Sequence, residues 1–109
     1  MTLKIYENKK VVKTYDVDTY DLMFGTLEDV AGAINLDKLQ TGSNAEIIKT
    51  AGDFVIHSMD TVKNLLKDIF PGLTDAEIRG AKLSDIAAVL VDVIKYTIQQ
   101  LNILPKSKN

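Results

Sequence analysis

The last long apolar stretch of the chain, residues 84–102, is the feature that most constrains the fold. Its apolar positions surround most of a helical circumference, and the polar strip between them is narrow, marked by Asp85, Asp92, Lys95 and Gln99. A surface helix usually carries an apolar stripe only a little wider than about 100°. A helix over residues 84–102 therefore needs cover on two sides, and the second cover is either the rest of the fold or a partner protein.

Length and composition narrow the class of protein. With 109 residues, no cysteine and a net charge of −2, the chain reads as one globular domain, residues 1–109, without disulfides or thiolate chemistry. Since apolar runs of about 18 residues are missing and the start of the chain lacks a signal-peptide pattern, we expect a soluble, cytoplasmic protein without a membrane span. Thirteen basic residues against fifteen acidic ones argue against a nucleic-acid partner.

An N-terminal β-hairpin is predicted for residues 2–17, with its turn at Glu7-Asn8-Lys9-Lys10. A two-residue loop would place Lys4 opposite Lys13, which is unfavourable. A loop one residue longer or shorter would instead group four apolar side chains on one face, namely Leu3, Ile5, Val11 and Tyr15. A hairpin alone is only marginally stable, so it must pack on helices or pair with another chain.

Two helices are predicted in the middle of the chain. The first spans about residues 26–35, with Thr26 as its N-cap and with a buried face of Leu27, Val30, Ala31 and Ile34. Residues 36–42 read as a connection. The second helix spans residues 44–69, opens with the capping box of Ser43 and Glu46, and would form a rod of about 40 Å.

The long helix must end at the turn Phe70-Pro71-Gly72, because proline cannot continue the hydrogen-bond ladder. A second capping box, Thr74 with Glu77, then opens a short helix over residues 75–80. The final helix follows over residues 84–102. The sequence thus predicts an α+β fold, mostly α, with an N-terminal β-hairpin followed by three to four helices.

Catalytic chemistry is not indicated. The single histidine, His57, is spaced one helical turn from Asp53 and near Asp60, a pattern better explained as a solvated charged face than as a metal site. Phosphate loops, nucleophile elbows and paired metal-binding histidines are not recognisable. We therefore predict no catalytic, cofactor-binding or metal-binding residues and no enzymatic activity.

Apolar residues outside the main helical stripes point instead to interaction. Met23, Phe24, Ile56, Val91 and Ile98 could together form a patch that binds a partner. The alternative is that the final helix lies at the centre of a small bundle and buries its whole circumference. Sequence alone leaves both open.

The chain resembles a known family, the small tail assembly chaperones of long-tailed, non-contractile-type bacteriophages. The resemblance is carried by Phe70-Pro71-Gly72-Leu73-Thr74-x-x-Glu77-Ile78, then Leu83-Ser84-Asp85-Ile86 and the helix over residues 89–96. The order of a short hairpin followed by helices is similar too. The likeness covers most of the chain.

The resemblance implies a protein that binds the tape measure protein and keeps it soluble in the bacterial host cytoplasm until the tail tube polymerises. It also implies a homo-oligomer, with the hairpin edge as a contact between copies. Six residues are predicted to bind the partner, Val55, Met59, Val62, Val89, Val93 and Ile94. We expect Val93→Asp to weaken that binding without unfolding the protein. Two other roles stay open, a structural head or tail component and a small stoichiometric regulatory binding protein.

Overall fold

The fold is α+β and mostly α, as predicted. The computed structural model describes residues 1–39 and 43–103. Two antiparallel strands form the N-terminal hairpin, and four helices of ten or more residues follow, with two short helices between them. In chain order the elements are β1 Thr2–Glu7, β2 Lys10–Asp16, α1 Phe24–Ala33, α2 Leu36–Leu39, α3 Asn44–His57, α4 Met59–Ile69, α5 Asp75–Arg79 and α6 Leu83–Ile103.

A β-bulge in the hairpin avoids the pairing of Lys4 with Lys13 that a two-residue loop would otherwise give. Its two-residue turn, Asn8-Lys9, has both residues at positive φ (51° and 66°), the geometry of a type I′ turn. The register then shifts between Ile5 and Tyr6, so Lys4 faces Thr14 rather than Lys13. Leu3 lies opposite Tyr15 as the face prediction required, but Val11 faces Tyr6 and is exposed, so its place in that face was wrong.

Helix α1 starts two residues earlier than predicted. Met23 is its N-cap residue, without a side-chain cap, and its carbonyl accepts bonds from the Thr26 and Leu27 amides. Thr26 is therefore a buried residue of the first turn and not the cap. Of the predicted buried face, Val30 and Ile34 are buried, Leu27 is half-buried and Ala31 is exposed. Within the predicted connection, residues 36–39 form the one-turn helix α2, and residues 40–42 lie outside the described ranges.

The predicted rod over residues 44–69 is wrong, because it is broken into α3 and α4 at Ser58. This residue has φ −138° and ψ 48°, far from helical values, and it serves as the C-cap of α3 and the N-cap of α4. Its amide still donates to the Phe54 carbonyl, and its own carbonyl accepts from Val62, so both helix ends stay hydrogen-bonded. Serine is a weak helix former, since its side chain competes for backbone groups. The non-helical backbone of Ser58 therefore separates α3 from α4.

The Pro-Gly turn and the second capping box are confirmed. The Leu73 amide donates to the Phe70 carbonyl, and Gly72 has φ 88°, the positive angle that the third position of a type II turn requires. Thr74 then caps α5 in a reciprocal box with Glu77. After α5 the chain pairs with β1: the Tyr6 amide donates to the Gly80 carbonyl at 2.8 Å, and Ile5 bridges Ala81.

Helix α6 lies at the centre of the fold. It contacts α1, α3 and β1, so the remaining elements provide the cover that its apolar circumference requires. Six of its side chains belong to one core cluster with Leu3 and Phe70, namely Ile86, Val89, Leu90, Val93, Ile94 and Ile98. Thr97, also buried, donates its hydroxyl to the Val93 carbonyl. Within residues 1–39 and 43–103, no helix combines the length and apolar character needed to cross a membrane.

Candidate partner-binding groove

The six residues predicted to bind a partner separate into two groups. Val89, Val93 and Ile94 have 1% or less of their surface exposed. They are core residues of α6 and are not exposed in this structure, so the structure does not place them at a binding surface. The physical reason is that the hairpin and helices α1 and α3 already cover this face of α6.

The other three residues, Val55, Met59 and Val62, converge on one apolar groove. It lies where the α3–α4 break meets the connection between α5 and α6, and its volume is about 240 Å³. We call this site the groove; it is lined by Val55, Met59, Val62, Lys63, Leu66, Ile78, Arg79, Ala81, Leu83 and Ile86.

Two local features of the sequence build the groove. The non-helical Ser58 lies between Val55 at the end of α3 and Met59 at the start of α4, and both of these residues line the same cavity. The opposite wall is held by the pairing of Gly80 and Ala81 with β1, which anchors the connection that carries Leu83. The groove therefore depends on contacts between segments far apart in sequence.

The groove has a buried floor and an exposed apolar rim. Val62 and Leu66 on the floor belong to the core, whereas Met59 and Leu83 each expose 59% of their surface. Soluble proteins seldom cluster large apolar side chains at the mouth of an apolar cavity unless the surface is used. Methionine and leucine at the rim can adapt to partners of different shape.

Positive charge surrounds this apolar surface. Lys63 and Arg79 line the groove, and Lys82 lies beside Arg79, with its ammonium 4.7 Å from the centre of the Tyr6 ring. In the described part of the chain, none of these three cations is in a salt bridge.

Two carboxylates of α5, next to the groove, have cationic partners. Asp75 is 2.7 Å from Lys67, whose hydrogen bond lowers the pKa of that carboxyl below its ordinary value. Glu77 is paired with Lys13. The groove and its surroundings thus carry the positive charges of Lys63, Arg79 and Lys82.

A second set of exposed apolar side chains lies between the hairpin and α1. Tyr20, Met23 and Phe24 expose 82%, 71% and 77% of their surface. The sequence pointed to Met23 and Phe24 but missed Tyr20, which lies in a short 3₁₀ turn and meets Tyr96 edge to face at 6.3 Å. Of the other residues predicted for an apolar patch, Ile56 is exposed, Val91 is half-buried and Ile98 is buried, which corrects its assignment.

The residues considered for metal or acid–base chemistry do not form such a site. His57 is exposed at the last position of α3. Asp53 lines a different cavity with Glu46 and Lys49. Across the residues that the structure describes, no group of three or more histidine, aspartate or glutamate side chains could hold a metal ion. The expectation that the protein is not an enzyme stays a prediction.

Comparisons with known proteins add no constraint to this geometry. No protein-family model, curated protein or solved structure matches the chain. The shape of the groove, its apolar rim and the cations around it are therefore the features on which a function is argued.

Proposed function

We propose that this protein binds an apolar helical segment of another protein in the groove, and that it does so as a tail assembly chaperone for a phage tape measure protein. The observation that carries the proposal is the pair of exposed apolar side chains, Met59 and Leu83, at the mouth of an apolar cavity. Fully covering a side chain of this kind contributes roughly 1.5–3 kcal/mol. Two such contacts over a preformed floor support binding of modest affinity.

An amphipathic helix is the ligand shape that fits this site best. Helices bind apolar grooves through side chains spaced by three or four residues, which form one continuous ridge. The groove is lined from α3, α4, α5 and α6, so its walls are themselves helical and complement such a ridge. It holds few polar groups that would select one particular sequence, which suits a binder of many similar segments.

The phage setting comes from the resemblance in sequence. A tape measure protein is a very long, largely helical and apolar chain that would aggregate before the tail tube surrounds it. Many copies of a small protein, each bound weakly, would cover such a client and leave as tube subunits polymerise. Contacts between copies would add avidity along the client, so we propose a homo-oligomer acting in the bacterial host cytoplasm.

The test is co-expression with the tape measure protein, followed by light scattering of the soluble fraction. We expect the wild-type protein to bring the client into a soluble complex of many copies. Met59→Asp and Leu83→Asp should each reduce the soluble client, because a carboxylate would replace apolar contact at the groove mouth. Ile48→Asp is the matched control, since Ile48 exposes 56% of its surface and does not line the groove.

Three results would reject the proposal. If the client stays insoluble with wild-type protein, the chaperone role is wrong. If this protein is recovered as a fixed part of purified tails, a structural role replaces it. A one-to-one complex with a single small partner would indicate a regulatory binding protein.

A further inference from the structure

One continuous segment of the chain is acidic. From Thr14 to Leu36 there are five carboxylates and no lysine or arginine, and all five carboxylate residues are exposed. The exposed side chains of Tyr20, Met23 and Phe24 lie inside this segment. We call these three apolar side chains, with Asp18 and Asp21 beside them, the acidic knob.

The acidic knob is held in place by local contacts. Asp18 accepts a hydrogen bond from the Tyr20 amide at 3.1 Å, and the Asp21 amide donates to the Asp18 carbonyl. The Tyr20 ring packs edge to face on Tyr96 of α6. Its apolar side chains are thus presented on an ordered turn, which lowers the entropic cost of binding through them.

The acidic knob and the groove are complementary. The knob is an apolar protrusion flanked by carboxylates, and the groove is an apolar cavity flanked by the cations Lys63, Arg79 and Lys82. Opposite charges around matching apolar surfaces favour one docking orientation and disfavour others.

The two surfaces of one molecule do not meet. Tyr20 contacts α6 at Tyr96, whereas the groove is lined from α6 by Leu83 and Ile86, thirteen and ten residues earlier. At about 1.5 Å per residue, the groove and the Tyr20 contact are about 15–20 Å apart along the helix. The knob of one copy can therefore reach only the groove of another copy.

We propose that the acidic knob of one copy docks into the groove of a second copy, so that the free protein associates head to tail and a client helix must displace the knob. The inference rests on the groove proposed above as a binding site. A contact between two different surfaces is heterologous, so it generates rings or open chains of copies. Client binding and this contact compete for the same apolar surface.

The test uses two variants that each lose one side of the contact. Tyr20→Ala with Phe24→Ala removes the knob, and Met59→Asp impairs the groove. Sedimentation equilibrium of wild-type protein should show mass that rises with concentration and falls with added salt. Each variant alone should associate about tenfold more weakly or worse, as expected when an interface anchor is lost.

Mixing the two variants gives the decisive result. The groove variant keeps its knob and the knob variant keeps its groove, so the mixture should form a one-to-one dimer and grow no further. Ile48→Asp should associate like the wild-type protein. Circular dichroism identifies any variant that fails to fold, and Leu83→Asp then replaces Met59→Asp, or Phe24→Ala alone replaces the double variant.

The inference is overturned if wild-type protein is monomeric throughout, or if the mixed variants do not pair. It is also overturned if both variants associate like the wild-type protein. These outcomes are distinct from failure of the proposed function, because the knob variant retains an intact groove and should still solubilise the tape measure protein. Loss of client rescue in Met59→Asp with unchanged self-association would support the groove as a client site and reject the knob as its competitor.

Discussion

Tyr15 Oη donates a 2.7 Å hydrogen bond to Glu77 Oε1, which joins β2 to α5 across 62 residues of sequence. The same carboxylate oxygen accepts from the Thr74 amide at 3.1 Å as part of the capping box, and Lys13 lies 3.3 Å from the other oxygen. The Tyr15 ring also packs on Phe70, which is fully buried. One side chain therefore connects the hairpin to the segment that carries one wall of the groove.

This arrangement predicts that stability depends on pH through Glu77. The hydrogen bond from Tyr15, then those from Thr74 and Lys13, hold the pKa of the Glu77 carboxyl below its ordinary value of 4.5. The unfolded chain then binds the proton more tightly than the folded chain. The stabilising contribution of the carboxylate is complete above pH 4.5 and is lost as the pH falls through the lowered pKa.

Urea unfolding at pH 5 and pH 3 measures this effect. Glu77→Gln should be less stable than the wild type at pH 5, and it should lose less stability on acidification. Tyr15→Phe keeps the ring contact with Phe70 and removes the largest cause of the lowered pKa. It should therefore also lose less stability than the wild type between pH 5 and pH 3. The explanation is rejected if both variants lose as much stability between the two pH values as the wild type.

Gly80 is predicted to be intolerant of any side chain. A Cβ at this position would lie 2.8 Å from the Tyr6 carbonyl oxygen and 3.3 Å from Ile5 Cγ2, where the connection pairs with β1. Gly80→Ala should therefore destabilise the protein by about 1–3 kcal/mol, the usual cost of overpacking. Thermal unfolding measures the change.

The matched control is Gly52→Ala in α3. Apart from its chain neighbours and the backbone of α3 itself, no atom of the described residues lies within 4 Å of a Cβ built there. Alanine is also the better helix former, so this variant should be stabilised by about 0.5–1 kcal/mol. Equal melting temperatures for the two alanine variants would show that the pairing of Gly80 with β1 does not constrain the connection.

The type I′ turn of the hairpin predicts a stabilising substitution. Lys9 adopts φ 66°, a left-handed conformation that costs a residue with a Cβ about 1 kcal/mol or more. Lys9→Gly gives the Asn-Gly pair that this turn prefers. Glycine also makes the unfolded chain more flexible, which offsets part of the gain, so the free energy of unfolding should rise by about 0.5 kcal/mol. In the neighbouring strand position, Lys10→Gly should instead lower the melting temperature. A lower melting temperature for Lys9→Gly would contradict the strain at this turn.

Local signals in the sequence were sufficient to predict some elements of the fold. The capping box of Thr74 and Glu77, the Pro71-Gly72 turn and the hairpin all depend on residues a few positions apart, and each was predicted. The break at Ser58 was missed, because the apolar spacing on its two sides continues without a change in period. A single serine is a weak helix former but too weak a signal to place a break within such a run.

The binding residues were harder to predict for a related reason. Val62 and Val93 have the same side chain and lie on similar apolar stripes, but only Val62 lines the groove. Which stripe is left uncovered depends on where the hairpin and α1 pack. Leu83 was not predicted as a binding residue, because the final helix was expected to begin one residue later. Its place at the rim depends on the pairing of Gly80 with β1, a contact between distant segments.

The contrast between Met59 and Val93 gives the sharpest prediction. Val93 is 0% exposed and Met59 is 59% exposed. Val93→Asp would place a carboxylate in the core without a partner, so on this structure we expect it to disrupt the fold rather than to spare it. We expect a loss of more than about 4 kcal/mol in the free energy of unfolding. Met59→Asp should change that free energy by no more than about 1 kcal/mol, since surface substitutions are usually mild.

Urea titration followed by circular dichroism distinguishes these two positions. Val93→Ala is an intermediate control, because it removes two methyl groups from the core without adding charge, and it should lie between the wild type and Val93→Asp. A folded Val93→Asp protein with near wild-type stability would mean that α6 is accessible in solution. Partner binding would then extend beyond the groove to the face that α1, α3 and β1 cover in this structure.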